Sequence, residues 1–351
     1  MFRSFFRLAL RNIKKYKIYS AISVISLAIG FCAYILISLY VNYEYSWDKH
    51  NVHYDRIYRV QRIFTASVQI TNGNNISPHT RGITSKLLDG KYPEIERTLL
   101  LREDRGSYIS SRFTRTFWEE FGFGSDQAVF DVFSFDFISG TQKISLREPF
   151  TIILSESLAD KLFPNELAVG KMVIIEKKYN LKVTGVYKDF PHNSSFRPNY
   201  LVSLSSYEQF EDNKNSLKAD YYTFVLLKAG QDAKILENKI GGLFKGYKDF
   251  ETEELSLCPL SWIYLSFNGN RDYLIILLIY KLIGIFILLL SSFNYINLTT
   301  SHAAVRNREV AIKKIFGGVK GGLILQFQAE TLMTALISIG MAFLMTGLLL
   351  P

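Results

Sequence analysis

Residues 18–43 read IYSAISVISLAIGFCAYILISLYVNY, 26 consecutive positions without a formal charge. Coiled as a helix, the run reaches about 39 Å, enough to cross a hydrocarbon core of about 30 Å. It reads as a membrane span. A secretory signal peptide also begins basic, but this apolar stretch exceeds the usual h-region and no small-x-small cleavage site closes it. Phe31, just before Cys32, is too bulky for a lipoprotein processing site. Two further apolar runs cover residues 273–297 and 323–351. The chain therefore divides into an N-terminal segment (1–17), span 1 (18–43), a long segment (44–272), span 2 (273–297), a short loop (298–322) and span 3 (323–351).

The charge pattern orients these pieces. The 351 residues carry 41 Lys and Arg against 32 Asp and Glu, a net charge of +9. Residues 1–17 hold Arg3, Arg7, Arg11, Lys14, Lys15 and Lys17 with no acid, and 298–322 hold Arg306, Arg308, Lys313, Lys314 and Lys320 against Glu309. The segment 44–272 balances 29 basic with 30 acidic side chains. An excess confined to two short flanks of apolar runs excludes a basic nucleic-acid-binding domain. Lys and Arg beside spans stay cytoplasmic, which places 1–17 and 298–322 inside and 44–272 outside. One span separates 17 from 44 and another separates 272 from 298, so the charges and the span count agree.

The 229-residue outer segment is large enough for its own core. It reads as mixed α and β. Loose alternation over Arg56–Gln69 predicts a strand, with others at Glu96–Arg102, Phe150–Leu154, Met172–Ile175, Leu181–Tyr187 and Tyr222–Lys228. Ser77-Pro78 predicts a helix start running to about Lys91, and Ser155–Phe163 a helix stopped by Pro164. Asn72–Asn75 and the Pro-, Asn- and Ser-rich Asp189–Asn199 read as linkers. Cys32 falls in span 1 and Cys258 in the outer segment, so neither a disulfide framework nor a cysteine metal site is expected.

The sequence contains no G-x-x-x-x-G-K-[ST] phosphate loop, no G-x-S-x-G elbow and no H-E-x-x-H. His50 and His53 share a helical face with Asp48 and Asp55 nearby, but lacking a further ligand cluster they read as solvated surface histidines. On a helix, Arg3, Arg7, Arg11, Lys14 and Lys15 oppose Phe2, Phe5, Phe6, Ala9 and Ile13, the pattern of a cytoplasmic interfacial helix or of a simple topology signal. In the inner loop Val305, Ile312, Ile315 and Phe316 gather opposite Arg306, Glu309 and Lys313. That predicts a short helix ended by Gly317-Gly318. Lys281 and Glu330 lie inside spans 2 and 3, where an ionisable group is a functional candidate by default. Lys281 is expected to snorkel to the outer interface, and Glu330 to cap, pair or face a protein neighbour near the inner side.

Several stretches together resemble one family. They are LALRNIKKYKIYSAISVISLAIGF near the N-terminus, EYSWDKHNVHYDRIYRV after span 1, FDVFSFDFISG, EPFTIILSESLADKLFP and VTGVYKDFPHNSSF in the outer segment, and NYINLTTSHAAVRNREVAIKKIFGG inside. These are similar to the FtsX-like, MacB-type ABC transporter permeases, especially those abundant in Bacteroidetes. The inner segment is the most specific.

With the three spans read from the apolar runs, the resemblance implies an α-helical membrane protein with an inserted α+β periplasmic domain, in the bacterial inner membrane. It implies a non-enzymatic permease, with no cofactor or metal of its own, that couples ATP hydrolysis on a separate ATPase to export or to periplasmic mechanotransmission. ATP and Mg would sit on that ATPase. The expected cargo is an amphiphile such as a lipoprotein, an antimicrobial peptide or a macrolide. Expected partners are the ATPase, membrane lipid, a second permease in a homodimer or pseudo-dimer, and a periplasmic adaptor, with no nucleic acid. Matching the family's inner coupling segment are Arg306, Arg308, Glu309, Val310, Ile312, Lys313 and Phe316. The family carries a fourth span or a doubled set, so the FtsX-like part at 273–351 reads as incomplete. Either this is the N-terminal portion of a longer permease or a second polypeptide supplies the rest. Alternative readings are a cell-division-type regulator of peptidoglycan hydrolases and a membrane-anchored sensor. The first is disfavoured by the size of the outer segment, the second by the lack of a cytoplasmic signalling domain in these residues.

Overall fold

The computed structural model describes residues 11, 15–64, 75–104, 106–112, 116–210, 220–247, 250, 252–265, 272–316 and 320–350. In chain order come α1 (Lys17–Glu44), β1 (Ile57–Phe64), β2 (Ile76–Ser77), β3 (Thr80–Arg81), α2 (Ile83–Leu88), β4 (Ile95–Asp104) and β5 (Ser107–Ser111). β6 (Phe117–Glu119), β7 (Gly122–Ser125), α3 (Val129–Val132), β8 (Phe137–Gly140), β9 (Thr151–Ser155), α4 (Glu156–Leu162), β10 (Met172–Ile175) and β11 (Tyr179–Tyr187) follow. The chain continues through β12 (Tyr200–Ser203), α5 (Leu204–Phe210), β13 (Asp220–Leu227), α6 (Ala233–Ile240), β14 (Glu253–Pro259), α7 (Leu260–Ile263), α8 (Asp272–Ile315) and α9 (Lys320–Leu349). These form two compact units, residues 1–44 with 274–351 and residues 45–273.

In the helical unit, α1, α8 and α9 are each long and apolar enough to cross a membrane. α1 and α8 run antiparallel. Asn294 Nδ2 donates to Ser26 Oγ at 2.7 Å, and the Tyr40 and Tyr280 rings meet edge-on at 5.9 Å. Between them Gly30 faces Ser291 so closely that a Cβ there would lie 2.1 Å from Ser291 Oγ. Small residues bring such helices together in lipid, where apolar surface alone gives no preference for a protein neighbour. α9 joins α1 through Thr346 Oγ1, which donates to Cys32 Sγ at 3.5 Å.

α8 departs from the sequence reading. The apolar, membrane-crossing part, Tyr273–Ser301, agrees with span 2 as read, but no break sets off a separate short helix after it. One 44-residue helix runs from Asp272 to Ile315. No Gly or Pro interrupts 285–316, so nothing in the sequence breaks the backbone ladder. The proposed stop at Gly317-Gly318 and most of the N-terminal amphipathic segment lie outside the described residues.

The outer unit is built on one sheet, in the order β14-β1-β13-β4-β7-β12-β9-β11-β10-β5-β6, with β2 on β1, β3 on β13 and β8 on β11. Most pairs are antiparallel; β12 with β7 and β11 with β9 are parallel. The central apolar cluster includes Leu99, Leu101, Phe133, Phe135, Tyr187, Phe196 and Leu260. A second gathers α4 against β9, β10 and β11, and a third gathers α6 against β1, β13 and β14.

The predicted strands are present, that expected over Arg56–Gln69 being described as far as Phe64, with 65–69 and most of the Asn72–Asn75 linker outside the described residues, and Ser155 caps α4 by accepting from Leu158 N at 3.4 Å. The helix expected from Ser77 starts only at Ile83. Residues 80–81 first pair with β13, where the Thr80 and Thr223 hydroxyls lie 2.6 Å apart. Ser77 Oγ instead accepts from His79 N at 3.3 Å, a local turn. The supposed linker Asp189–Asn199 is no linker. Phe190 and Phe196 pack into the aromatic core, and Phe133 stacks on Phe196 at 4.4 Å.

Candidate functional site

The coupling residues read from the sequence sit at the far end of α8. Arg306, Arg308, Glu309, Val310, Ile312 and Lys313 lie on its final turns, and Phe316 follows directly. The side chains of Arg306, Arg308, Glu309 and Lys313 are outside the described set. Val310 is half-buried, while Ile312, Ile315 and Phe316 are 49%, 80% and 86% exposed. At 100° per residue these three occupy one arc. An apolar ridge open at the end of a helix is costly in water unless something covers it.

Lys281 lies in the third turn of α8 with its side chain exposed. Glu330 is different. It is 7% exposed on α9 and accepts from Gln326 Nε2 at 3.2 Å, while Thr334 Oγ1 donates to its main-chain carbonyl at 2.9 Å. A buried carboxylate flanked by a buried amide on a membrane helix faces protein rather than lipid. Lys281 and Glu330 sit on different helices.

The sequence reading missed the segment that joins span 1 to the outer domain. Asp48, four residues past the end of α1, is fully buried with φ of 63°. Its carboxylate accepts from Ser195 N at 2.7 Å, Ser195 Oγ at 2.6 Å and Ser194 Oγ at 3.3 Å. Its own N–H donates to the Asn193 carbonyl at 2.9 Å, and Asn193 Nδ2 donates to Ser46 Oγ at 2.8 Å. Three residues on, Asn51 Oδ1 accepts from Ser134 N at 3.0 Å, and Val52 N donates to Ser134 Oγ at 2.9 Å. Burial pushes the Asp48 carboxyl above its ordinary range, while the serine hydrogen bonds and Arg197 pull it back. The partner loop is the one read as a linker. Its Asn193-Ser194-Ser195 run between Phe190 and Phe196 was the available signal, since polar groups flanked by core aromatics need partners.

Trp47, beside Asp48, stacks on Tyr264 with centroids 3.5 Å apart and planes 7° off parallel. Tyr264 in turn meets Tyr273, in the first turn of α8, edge-on at 5.7 Å. Within the outer unit, rings therefore connect the residues that follow α1 with the residue that enters α8.

Among the described residues, the carboxylate and histidines after span 1 have other neighbours. Asp48 is committed to the serines, His53 Nδ1 lies 2.9 Å from Arg56, and His50 packs edge-on to Phe190 at 5.6 Å. His50 is not a solvated surface residue as expected. It is half-buried, and burial pushes its imidazole below the ordinary value, toward the neutral form.

A cleft of about 490 Å³ elsewhere in the domain is lined by Arg102, Asp104, Trp118, Glu176, Tyr179 and Tyr207, among others. At its floor Asp104 Oδ2 accepts from Ser107, Tyr200 and Tyr207, each at 2.8 Å. Burial and the Asp104 charge push both phenols up, so they remain proton donors to a fixed carboxylate. That arrangement suits anchoring rather than acid–base chemistry.

Residues 20–243 match the MacB-like periplasmic core domain family. The chain belongs to this family. The MacB-like match begins inside α1 and ends just after α6, so it takes in both the junction and most of the sheet. Among solved structures, a domain of a protein described as a permease from Porphyromonas gingivalis is similar, with a TM-score of 0.51 and 22% identity. It covers 60% of this chain and 91% of that one. The periplasmic region of MacB from Actinobacillus actinomycetemcomitans gives 0.42 at 17% identity over 56% and 87%. The extracellular domain of the noncanonic ABC-type transporter YknZ from Gram-positive bacteria gives 0.42 at 16% over 56% and 98%. No curated protein matches the chain. Three apolar helices and a MacB-like periplasmic domain make this a membrane protein of the MacB- and FtsX-like ABC permeases, a family generally without enzymatic activity that works with an ABC ATPase.

Proposed function

We propose that the chain is the permease subunit through which a partner ATPase drives export, or mechanical work on a cargo already outside, across the bacterial inner membrane. The observation that carries this reading is the unbroken helix Asp272–Ile315. At 1.5 Å per residue it is about 66 Å long, roughly twice the hydrocarbon core. It carries the exposed ridge Ile312, Ile315 and Phe316 at one end and Tyr273 at the other. A hydrogen-bonded rod cannot absorb displacement between its ends as a jointed loop does. Motion imposed on the ridge by ATP-driven closure of the ATPase therefore reaches the outer side. The ridge seats in an apolar groove of the ATPase, with Arg306, Arg308, Glu309 and Lys313 setting its register. ATP and Mg bind on the ATPase, and two permeases assemble around the cargo path. An amphiphile fits as cargo for a protein working beside a bilayer, and Lys281 snorkels to the outer interface.

Ile312→Asp with Phe316→Asp tests the seat. The double variant should insert normally yet lose stimulation of the ATPase that co-purifies with the wild type. Undiminished stimulation would contradict the reading.

A further inference from the structure

We propose that the base of the outer domain is an aromatic seat for the headgroup layer of the outer leaflet, built from Tyr45, Trp47, Trp262 and Tyr264. Tyr45 and Trp47 come one and three residues after the end of α1. Chain geometry keeps them within about 11 Å of that end. The 3.5 Å stack holds Tyr264 against Trp47, and Trp262 is two residues away in sequence. Tyr45 and Trp262 are 39% and 38% exposed, each presenting part of an amphipathic ring. Tyr273, edge-on to Tyr264, opens the next span and adds a phenol at the same level. Indole and phenol combine an apolar body with one hydrogen-bonding tip, so the exposed Tyr45 and Trp262 partition to the boundary between acyl chains and headgroups, while Trp47, whose Nε1 is buried, and Tyr264 brace them from behind. Rings that the chain itself tethers beside two membrane crossings occupy that boundary.

The third tryptophan supplies an internal control. Trp118 is 47% exposed on β6, at the opposite end of the sheet from β14, the strand that leads directly into α7 and Trp262. Ten strand spacings separate the two edges by up to about 48 Å. The full chain, reconstituted in phosphatidylcholine vesicles containing lipid brominated near the headgroup end of its chains, is compared in two variants. Trp47→Phe with Trp118→Phe leaves Trp262 as the emitter; Trp47→Phe with Trp262→Phe leaves Trp118. Trp262 should lose about half its emission to the bromines and be shielded from aqueous iodide, whereas Trp118 should keep its emission in bromolipid and be quenched by iodide. Circular dichroism of each variant confirms that the domain is folded, and the Trp118→Phe single variant repeats the test with the Trp47 stack intact. Equal bromine quenching of the two emitters overturns the proposal. So does a Trp262 that bromine does not quench, whether iodide reaches it or a protein partner covers it.

Discussion

Asp48 and Ser195, separated by 147 positions in the chain, are joined twice, through the serine N–H at 2.7 Å and its Oγ at 2.6 Å on the two carboxylate oxygens. The pair locks the segment leaving span 1 onto the loop that delivers Phe196 to the aromatic core. Replacing Asp48 by Ala removes the charged acceptor of the Ser195 N–H and hydroxyl and places a side chain with no local hydrogen bond at φ 63°. The expected loss is about 1–3 kcal/mol. It should appear as a lowered unfolding midpoint of the full chain in detergent. Asp48→Asn, which keeps one acceptor oxygen and tolerates that backbone conformation, should lose less. The two variants also differ in pH response. The folded Asp48 carboxyl is raised above its unfolded value of 3.8, so the fold binds this proton more tightly. Its contribution to stability is full below that value and is lost as pH rises through the raised folded value. Asn does not titrate, so the stability of Asp48→Asn relative to wild type should shift in favour of the variant as pH rises across that window. A difference independent of pH would remove the assignment.

The Trp47 stack predicts opposite outcomes for two substitutions. The indole Nε1 is buried and meets no hydrogen-bond acceptor among the described residues, so Phe should replace the indole at little cost there. Trp47→Phe should change the unfolding midpoint little, while Trp47→Ala gives up the stack on Tyr264 and should cost about 3 kcal/mol. Thermal melts of both variants, followed by circular dichroism, separate them. Equal losses would show that the N–H matters more than the ring.

Gly30 is where α1 and α8 approach most tightly among the glycine contacts of the two helices, with the Ser291 side chain in the space a Cβ would take. Gly30→Ala should force these helices apart, and Ser291→Gly in the same chain should restore the fit. A double-mutant cycle on detergent stability reads the coupling directly; additive effects would mean that the two positions do not share the space.

The membrane architecture was legible because it rests on long-range composition: apolar runs of bilayer length and a charge excess restricted to their inner flanks. Local alternation also located β4, β10 and β11, and Ser155 with Pro164 bracketed α4. The errors fall where partners distant in sequence decide the structure. Thr80 and Arg81 look helical until β13 pairs with them, and Asp189–Asn199 looks like a linker until Asp48 supplies its acceptor. The inner segment was recognised by residue pattern, yet its continuity with span 2 was missed. The apolar run ends near Asn297, although no residue there interrupts a helix. Trp47 and Tyr264 lie 217 positions apart, and neither is conspicuous until they stack.

The continuity of α8 is the part of the coupling proposal most open to direct attack. Inserting Gly-Gly-Ser-Gly between Ser301 and His302 leaves both the membrane-spanning part and the ridge at Ile312–Phe316 intact but puts a flexible joint between them. The measurement is the ATP-dependent change in distance between spin labels at Leu167, an exposed side chain of the outer domain, in two copies of the reconstituted permease with its ATPase bound. Wild type should show a nucleotide-dependent shift, and the jointed variant should retain the ATPase yet lose that shift. An undiminished shift in the jointed variant would contradict transmission along this helix.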